Sequence, residues 1–103
     1  METRLIHNPH PGEILTYEFL EELELSPNDL ARAIEVPYSS IQEIIQGKIS
    51  ISADMDLRLC RYFRLSEGYF LRLQNAYELM EAKRKLGETL NQIMPHASLT
   101  ASD

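Results

Sequence analysis

The sequence has no tryptophan, one cysteine, four scattered glycines and no apolar run long enough to cross a membrane. Cys60 lacks a second cysteine for an internal disulfide, and we predict that it is a small buried hydrophobe rather than a nucleophile. Scattered glycines make a phosphate-binding loop implausible. Together with an N-terminus that lacks a signal-peptide core, these absences favour a reducing cytoplasm and predict neither a membrane anchor nor a cofactor.

Positive charge is also scarce. The 103 residues, enough for one domain, carry 16 acidic and 10 basic side chains, a net charge of −6. Proteins that bind DNA usually carry excess lysine and arginine, because neutralising phosphates supplies much of their affinity. The overall balance therefore favours a basic partner, alone or in addition to nucleic acid.

The chain does carry helical periodicity throughout. Apolar residues recur at three- and four-residue steps, and no segment alternates with period two for long enough to predict a strand. Proline and capping residues predict helices that begin at Pro11, Ser26, after Pro37, at Ser52 and at Ser66. The apolar stripes predicted to face the core are Leu15, Phe19, Leu20 and Leu23; Leu30, Ala31 and Ile34; Ile41, Ile44 and Ile45; Met55, Leu59, Tyr62 and Phe63; and Phe70, Leu73, Tyr77 and Met80.

The predicted fold class is thus all-α with five helices, the last of them long. We expect residues 1–10 to form an N-terminal arm, residues 11–94 to form the helical domain, and residues 95–103 to form a loose polar tail. The apolar stripe of the last helix continues past its neighbours, which favours a symmetric homodimer through that helix.

The second and third helices have the features of a helix-turn-helix. Ala31 is small where two steeply crossing helices approach, and the tight turn fits between Ile34 and Pro37. The outer face of the third helix is polar, and base edges are read by such donors and acceptors. The residues of this face are Tyr38, Ser39, Gln42, Glu43 and Gln46.

A set of ordered motifs also resembles a known family. HPGEIL at residues 10–15 is followed by DLARAIEV, IQEIIQGK, ISADMDLRLCRYF and YFLRLQNAYEL. This order, from about His10 to Glu81, resembles the HigA-type antitoxins, or virulence-associated protein I-like proteins, of the Xre phage-repressor helix-turn-helix group. The resemblance implies a phage-repressor-like bundle that dimerises, represses its own operon at a palindromic operator, and neutralises a basic RNA-cleaving (HigB-like) toxin.

Carried onto this chain, the resemblance makes residues 37–46 the recognition helix. Residues at the start of the preceding helix would meet phosphate, and residues of the recognition helix would face base edges. The predicted DNA-binding residues are Ser26, Asn28, Tyr38, Ser39, Ser40, Gln42, Glu43, Gln46 and Lys48.

The turn departs from the family pattern. Glu35 stands where the family usually has glycine, so we expect it to adopt a left-handed conformation at about 1 kcal/mol. Tyr38 stands where arginine or lysine is common, and only Lys48 remains of two basic residues after Gly47. Compensating phosphate contacts are predicted from Arg4 or from a ridge of arginines. The ridge consists of Arg58, Arg61 and Arg64.

Other interpretations stay open at this point. The acidic face of the first helix is a solvated surface or a landing site for a basic protein; it holds Glu13, Glu18, Glu21, Glu22 and Glu24. The whole chain could be a protein-interaction module that does not bind DNA, or a repressor without a toxin. His7 and His10 have a spacing that suits a metal, but capping and packing fit them better. No residue constellation indicates an enzyme.

Overall fold

A computed structural model of the chain describes residues 8–99, and within that range every regular element is a helix. Helix α1 combines an α-helical turn, Pro11–Ile14, with a π-helical segment, Leu15–Leu20. The others are α2 (Pro27–Ala33), α3 (Tyr38–Ile45), α4 (Ala53–Phe63), α5 (Tyr69–Leu86) and α6 (Glu88–Gln92). The all-α prediction is confirmed, and α6 is a short sixth helix that Gly87 separates from α5.

The π-helical segment changes which side of α1 faces the core. The Thr16 hydroxyl donates to the Gly12 carbonyl at 2.8 Å, and the Glu21 N–H bonds the Thr16 carbonyl five residues back. This wider winding brings Leu15 and Leu20, five residues apart, into the core together. The four-residue stripe predicted through Leu23 was therefore wrong, and the Leu23 side chain is 58% exposed.

The core lies where α1, α2, α3, α4 and the start of α5 meet. The Leu15, Leu30, Ile41, Leu59 and Phe70 side chains are completely inaccessible to solvent. They come from five different helices, so each amphipathic helix contributes to one shared core. The shape is elongated, 54 × 31 × 21 Å, because α5 continues beyond this core.

Two residues predicted to face the core are exposed instead. Met80 lies on the part of α5 that extends past the other helices, and its side chain is 46% exposed. Tyr62 is on the outer side of α4, where its ring packs edge-on against Phe63. Periodicity identified the correct helices here but not where their neighbours end.

A buried carboxylate joins α4 to α5. Asp56 is 1% exposed and accepts backbone N–H bonds from Gly68 at 2.7 Å, Phe70 at 2.9 Å and Leu71 at 3.2 Å. It supplies the cap that α5 lacks locally, so α5 begins at Tyr69 rather than at Ser66 as predicted. The burial predicted for Cys60 is confirmed: its thiol is free, buried and 3.5 Å from Asp56 Oδ1.

The part of the predicted arm that the structure describes contacts α5. Asn8 Nδ2 donates to the Tyr77 carbonyl and to Glu81 Oε2, both at 3.0 Å. The Arg4 and His7 predictions lie outside the described residues. None of the helices between residues 8 and 99 is long and apolar enough to span a membrane.

Candidate nucleic-acid interface

The interface begins at α2, whose N-terminus is capped as the sequence predicted. Ser26 Oγ accepts the Asp29 N–H at 3.0 Å, and Pro27 occupies the first helical position. The Ser26 hydroxyl still has a proton to donate outward, and Asn28 beside it is exposed. Arg32 pairs with Asp29 at 2.6 Å on the surface, which offsets one negative charge near the predicted phosphate contacts.

The turn into α3 has the geometry expected of it. Glu35 is left-handed, with φ of 61°, which confirms the sequence prediction for this position. The Val36 N–H returns to the Ala31 carbonyl at 3.0 Å and closes the end of α2. Pro37 then precedes the first residue of α3 in an extended conformation.

Arg58 holds this turn from α4. Its Nη1 donates to the Ile34 carbonyl at 2.7 Å and to the Glu35 carbonyl at 3.2 Å, while Asp54 accepts from its Nε at 2.6 Å. Its Nε and Nη1 are thus engaged by Asp54 and by the turn, and whether its Nη2 contacts phosphate, as predicted for the ridge, stays a prediction. Arg61 and Arg64 are exposed. Whether they contact phosphate stays a prediction.

Helix α3 is buried on one side and polar on the other. Ile41 and Ile44 are at most 2% exposed and fix the helix against the core. Gly47, with φ of 76°, ends it in the left-handed conformation that the sequence predicted. The exposed predicted DNA-binding residues on this helix or directly after it are Tyr38, Ser39, Gln42, Glu43, Gln46 and Lys48.

Ser40 is the predicted residue that does not share this surface. Its side chain is half-buried, and its N–H bonds the Pro37 carbonyl at 3.0 Å in the first turn of α3. The other eight predicted residues are exposed. They form two groups: Ser26 and Asn28 lie at the start of α2, and the other six lie along α3 and at its end. Their contact with DNA stays a prediction.

His10 and Gly12, at the start of α1, set how closely α3 can pack; a capping role for His10 was predicted from the sequence, but the close approach at Gly12 was not. A Cβ on Gly12 would collide with the Ile44 carbonyl, so only glycine allows α1 and α3 to approach so closely. His10 Nδ1 accepts the Gly12 N–H at 3.0 Å, and its ring lies over Gly47. The tripeptide His-Pro-Gly was the available signal, because the cap at His10 and the close approach at Gly12 lie only two positions apart.

A reciprocal amide pair fixes the loop after α3. Gln74 Oε1 accepts the Ile51 N–H at 2.6 Å, and Gln74 Nε2 donates to the Ile51 carbonyl at 3.0 Å. A glutamine side chain on α5 thereby satisfies both backbone groups of a loop residue. Nothing in the local sequence indicates this pairing, because the two residues are 23 positions apart.

A helix packed in the core and carrying an exposed polar face, preceded by a capped helix and a tight left-handed turn, defines a helix-turn-helix protein. The helix-turn-helix family matches residues 17–70, more than half of the chain. The chain belongs to this family, in the branch that holds virulence-associated protein I and the HigA antitoxins, as its resemblance to them predicted.

Similar proteins cover most of the chain. Virulence-associated protein I of Dichelobacter nodosus is 42% identical over 86 residues, which are 84% of this chain and 79% of that protein. The structure of Pseudomonas aeruginosa antitoxin HigA with the higBA promoter superposes with a TM-score of 0.80 at 41% identity, covering 86% of this chain and 98% of that one. A second P. aeruginosa structure, a complex with 18-bp operator DNA, has a TM-score of 0.82 at 41% identity, covering 87% and 96%.

Proposed function

We propose that this chain is a cytoplasmic antitoxin that represses its own operon by reading operator DNA and that neutralises a basic RNA-cleaving toxin. The observation that carries the DNA half is the exposed polar face of α3, held outward by the buried Ile41 and Ile44. Similarity to proteins solved with promoter and operator DNA supports the same assignment. The chain acts by binding rather than by catalysis.

In this proposal α3 lies in the major groove. Gln42 offers both a donor and an acceptor to a base edge, Tyr38 offers a hydroxyl at the start of the helix, and Ser39 offers a second hydroxyl. Ser26 and Asn28 at the start of α2 bond phosphate oxygens and set the register of the protein on the duplex. Lys48 supplies a positive charge at the other end of α3.

A homodimer would present two such helices to a palindrome. Large apolar side chains are exposed on the part of α5 that projects from the core and on the residues after it, as a helical dimer surface requires. Two recognition helices double the phosphate contacts, which compensates for the low positive charge of one chain. The exposed apolar residues are Leu79, Met80, Leu86, Leu90 and Ile93.

A salt titration of binding to the DNA upstream of the coding sequence, against a scrambled control, tests this function. We expect selective binding whose log affinity falls linearly with log salt, with a slope of about −0.9 for each phosphate contacted. Equal affinity for the two DNAs at all salt concentrations would contradict the proposal.

A second candidate is an interaction module that keeps the helix-turn-helix only for its fold. The net charge of −6, the exposed Glu35 beside the recognition surface and the exposed Glu43 within it favour this alternative. Tight binding of a basic protein, without selective DNA binding in the presence or absence of that protein, would establish this alternative. A repressor without a toxin would bind the operator but no basic protein encoded beside it.

A further inference from the structure

The outer side of α1 and the loop after it carry four glutamates that pair with no basic residue of the described part of the chain. No lysine or arginine occurs between residues 5 and 31. Four glutamates on this surface are exposed, and within residues 8–99 their carboxylates have no hydrogen-bond or ion-pair partner. They are Glu18, Glu21, Glu22 and Glu24.

Large apolar side chains are exposed among these carboxylates. Tyr17 is 61% exposed and Leu23 is 58% exposed, and the two residues lie only six positions apart in the sequence. Tyrosine combines a large rigid contact area with a hydroxyl, and it is enriched among the residues that dominate the affinity of protein interfaces. Among the carboxylates, these two side chains give the surface apolar contact area for a partner.

An apolar groove lies next to this surface. It has a volume of about 440 Å³ and an almost entirely apolar lining. We name it the α1 groove; its floor is formed by Leu20, Leu25, Pro27 and Ile45, and its rim by Glu21 and Glu24. The groove can accept an apolar side chain from a partner, while the rim attracts cations on either side of it.

One of the two rim residues, Glu24, stands at a position where glycine would make the protein more stable. Glu24 is left-handed, with φ of 52°, in the turn after α1. Glycine would adopt this conformation without the penalty of roughly 1 kcal/mol that a Cβ incurs. Replacing Glu24 by glycine would therefore separate the stability of the turn from any binding role of its carboxylate.

We propose that the α1 groove and the glutamates around it bind the basic partner protein, through a segment that places an apolar side chain in the groove between lysines or arginines. The inference rests on the proposed antitoxin function and names the surface that the toxin covers. A second copy of this chain is the wrong occupant for a symmetric contact, because it would bring the same unbalanced glutamates against themselves. Tyr17 and Leu23 widen the contact beyond the groove.

The test uses the basic protein encoded beside this chain as the ligand, with the full-length chain in isothermal titration calorimetry. Glu21→Lys reverses a charge at the rim, and Glu67→Lys makes the same charge change at an exposed site outside α1. We expect Glu21→Lys to weaken binding by at least about tenfold, with Glu67→Lys within about threefold of wild type. Tyr17→Ala should also weaken binding by about tenfold.

Glu24→Gly gives the sharpest readout, because it should raise the melting temperature while weakening partner binding. If wild type binds tightly and Glu21→Lys behaves like Glu67→Lys, the α1 groove is not the docking surface, although the antitoxin function stands. If wild type does not bind the basic protein at all, the antitoxin function fails and this inference fails with it. A change in oligomeric state on Glu21→Lys would assign the groove to a second copy and overturn the inference.

Discussion

Two turns of this molecule are capped by the same helix, and they differ in how deeply their caps are buried. At the α4–α5 turn, the Asp56 carboxylate accepts three backbone N–H groups and is 1% exposed. At the α2–α3 turn, the Arg58 guanidinium donates to two backbone carbonyls and its side chain is 38% exposed. The two caps are two residues apart on α4.

The difference in burial between the two caps makes one turn more firmly held than the other. A buried carboxylate has no water to replace a lost partner, so the α4–α5 turn is fixed whenever the protein is folded. The α2–α3 turn lies at the surface, next to the helix proposed to read DNA, and its cap competes with solvent. The turn before α3 is therefore held by a weaker contact than the one that fixes the α4–α5 turn.

The largest expected effect is from Asp56→Asn. The amide would place its NH₂ group against backbone donors, so we expect the free energy of unfolding to fall by about 3 kcal/mol. Chemical denaturation measures this, and Asp54→Asn, which changes an exposed side chain on the same helix, should cost below about 1 kcal/mol. Similar losses in the two variants would show that burial does not distinguish the caps.

An intermediate effect is expected from Arg58→Ala. The variant leaves the Ile34 and Glu35 carbonyls without their donor, and we expect a loss of about 1–2 kcal/mol in the free energy of unfolding. Operator affinity should also fall, because the turn that positions α3 is loosened. Arg61→Ala removes an exposed arginine from the same helix and serves as control for stability; an equal loss there would exclude a capping role for Arg58.

The smallest expected effect is an increase in the free energy of unfolding. Glu35→Gly removes the left-handed penalty of about 1 kcal/mol but lets the unfolded chain explore more conformations, which costs about 0.5 kcal/mol, so we expect a net gain of about 0.5 kcal/mol. Combined with Arg58→Ala, the two changes should not add, because both act on one turn. Strict additivity in a double-mutant cycle would mean that Arg58 does not support the conformation of Glu35.

Local signals predicted much of this fold. Ser26 and Ser52 cap the helices that they were expected to begin, and Gly47 ends α3. Each of these features depends on a side chain and backbone groups within three or four residues, which a sequence displays directly. The left-handed conformation of Glu35 was predicted from the family resemblance instead.

The missed features depend on partners distant in the chain. Asp56 and Arg58 both reach other helices, 12 to 24 residues away in sequence. The π-helical winding of α1 follows from a hydrogen-bond shift that periodicity cannot display, so Leu23 was wrongly assigned to the core. For the interface, helical spacing identified an exposed face, but it could not show that Ser40 lies half-buried beside it.

The central claim is that α3 reads DNA with side chains that do not hold the fold together. The most direct test compares operator affinity and melting temperature for the Tyr38→Ala/Gln42→Ala variant and for Tyr17→Ala, which removes an exposed tyrosine from α1. We expect the α3 variant to lose selective operator binding with an almost unchanged melting temperature, and Tyr17→Ala to bind the operator like wild type. Wild-type affinity in the α3 variant, or equal loss of stability and binding, would contradict the claim.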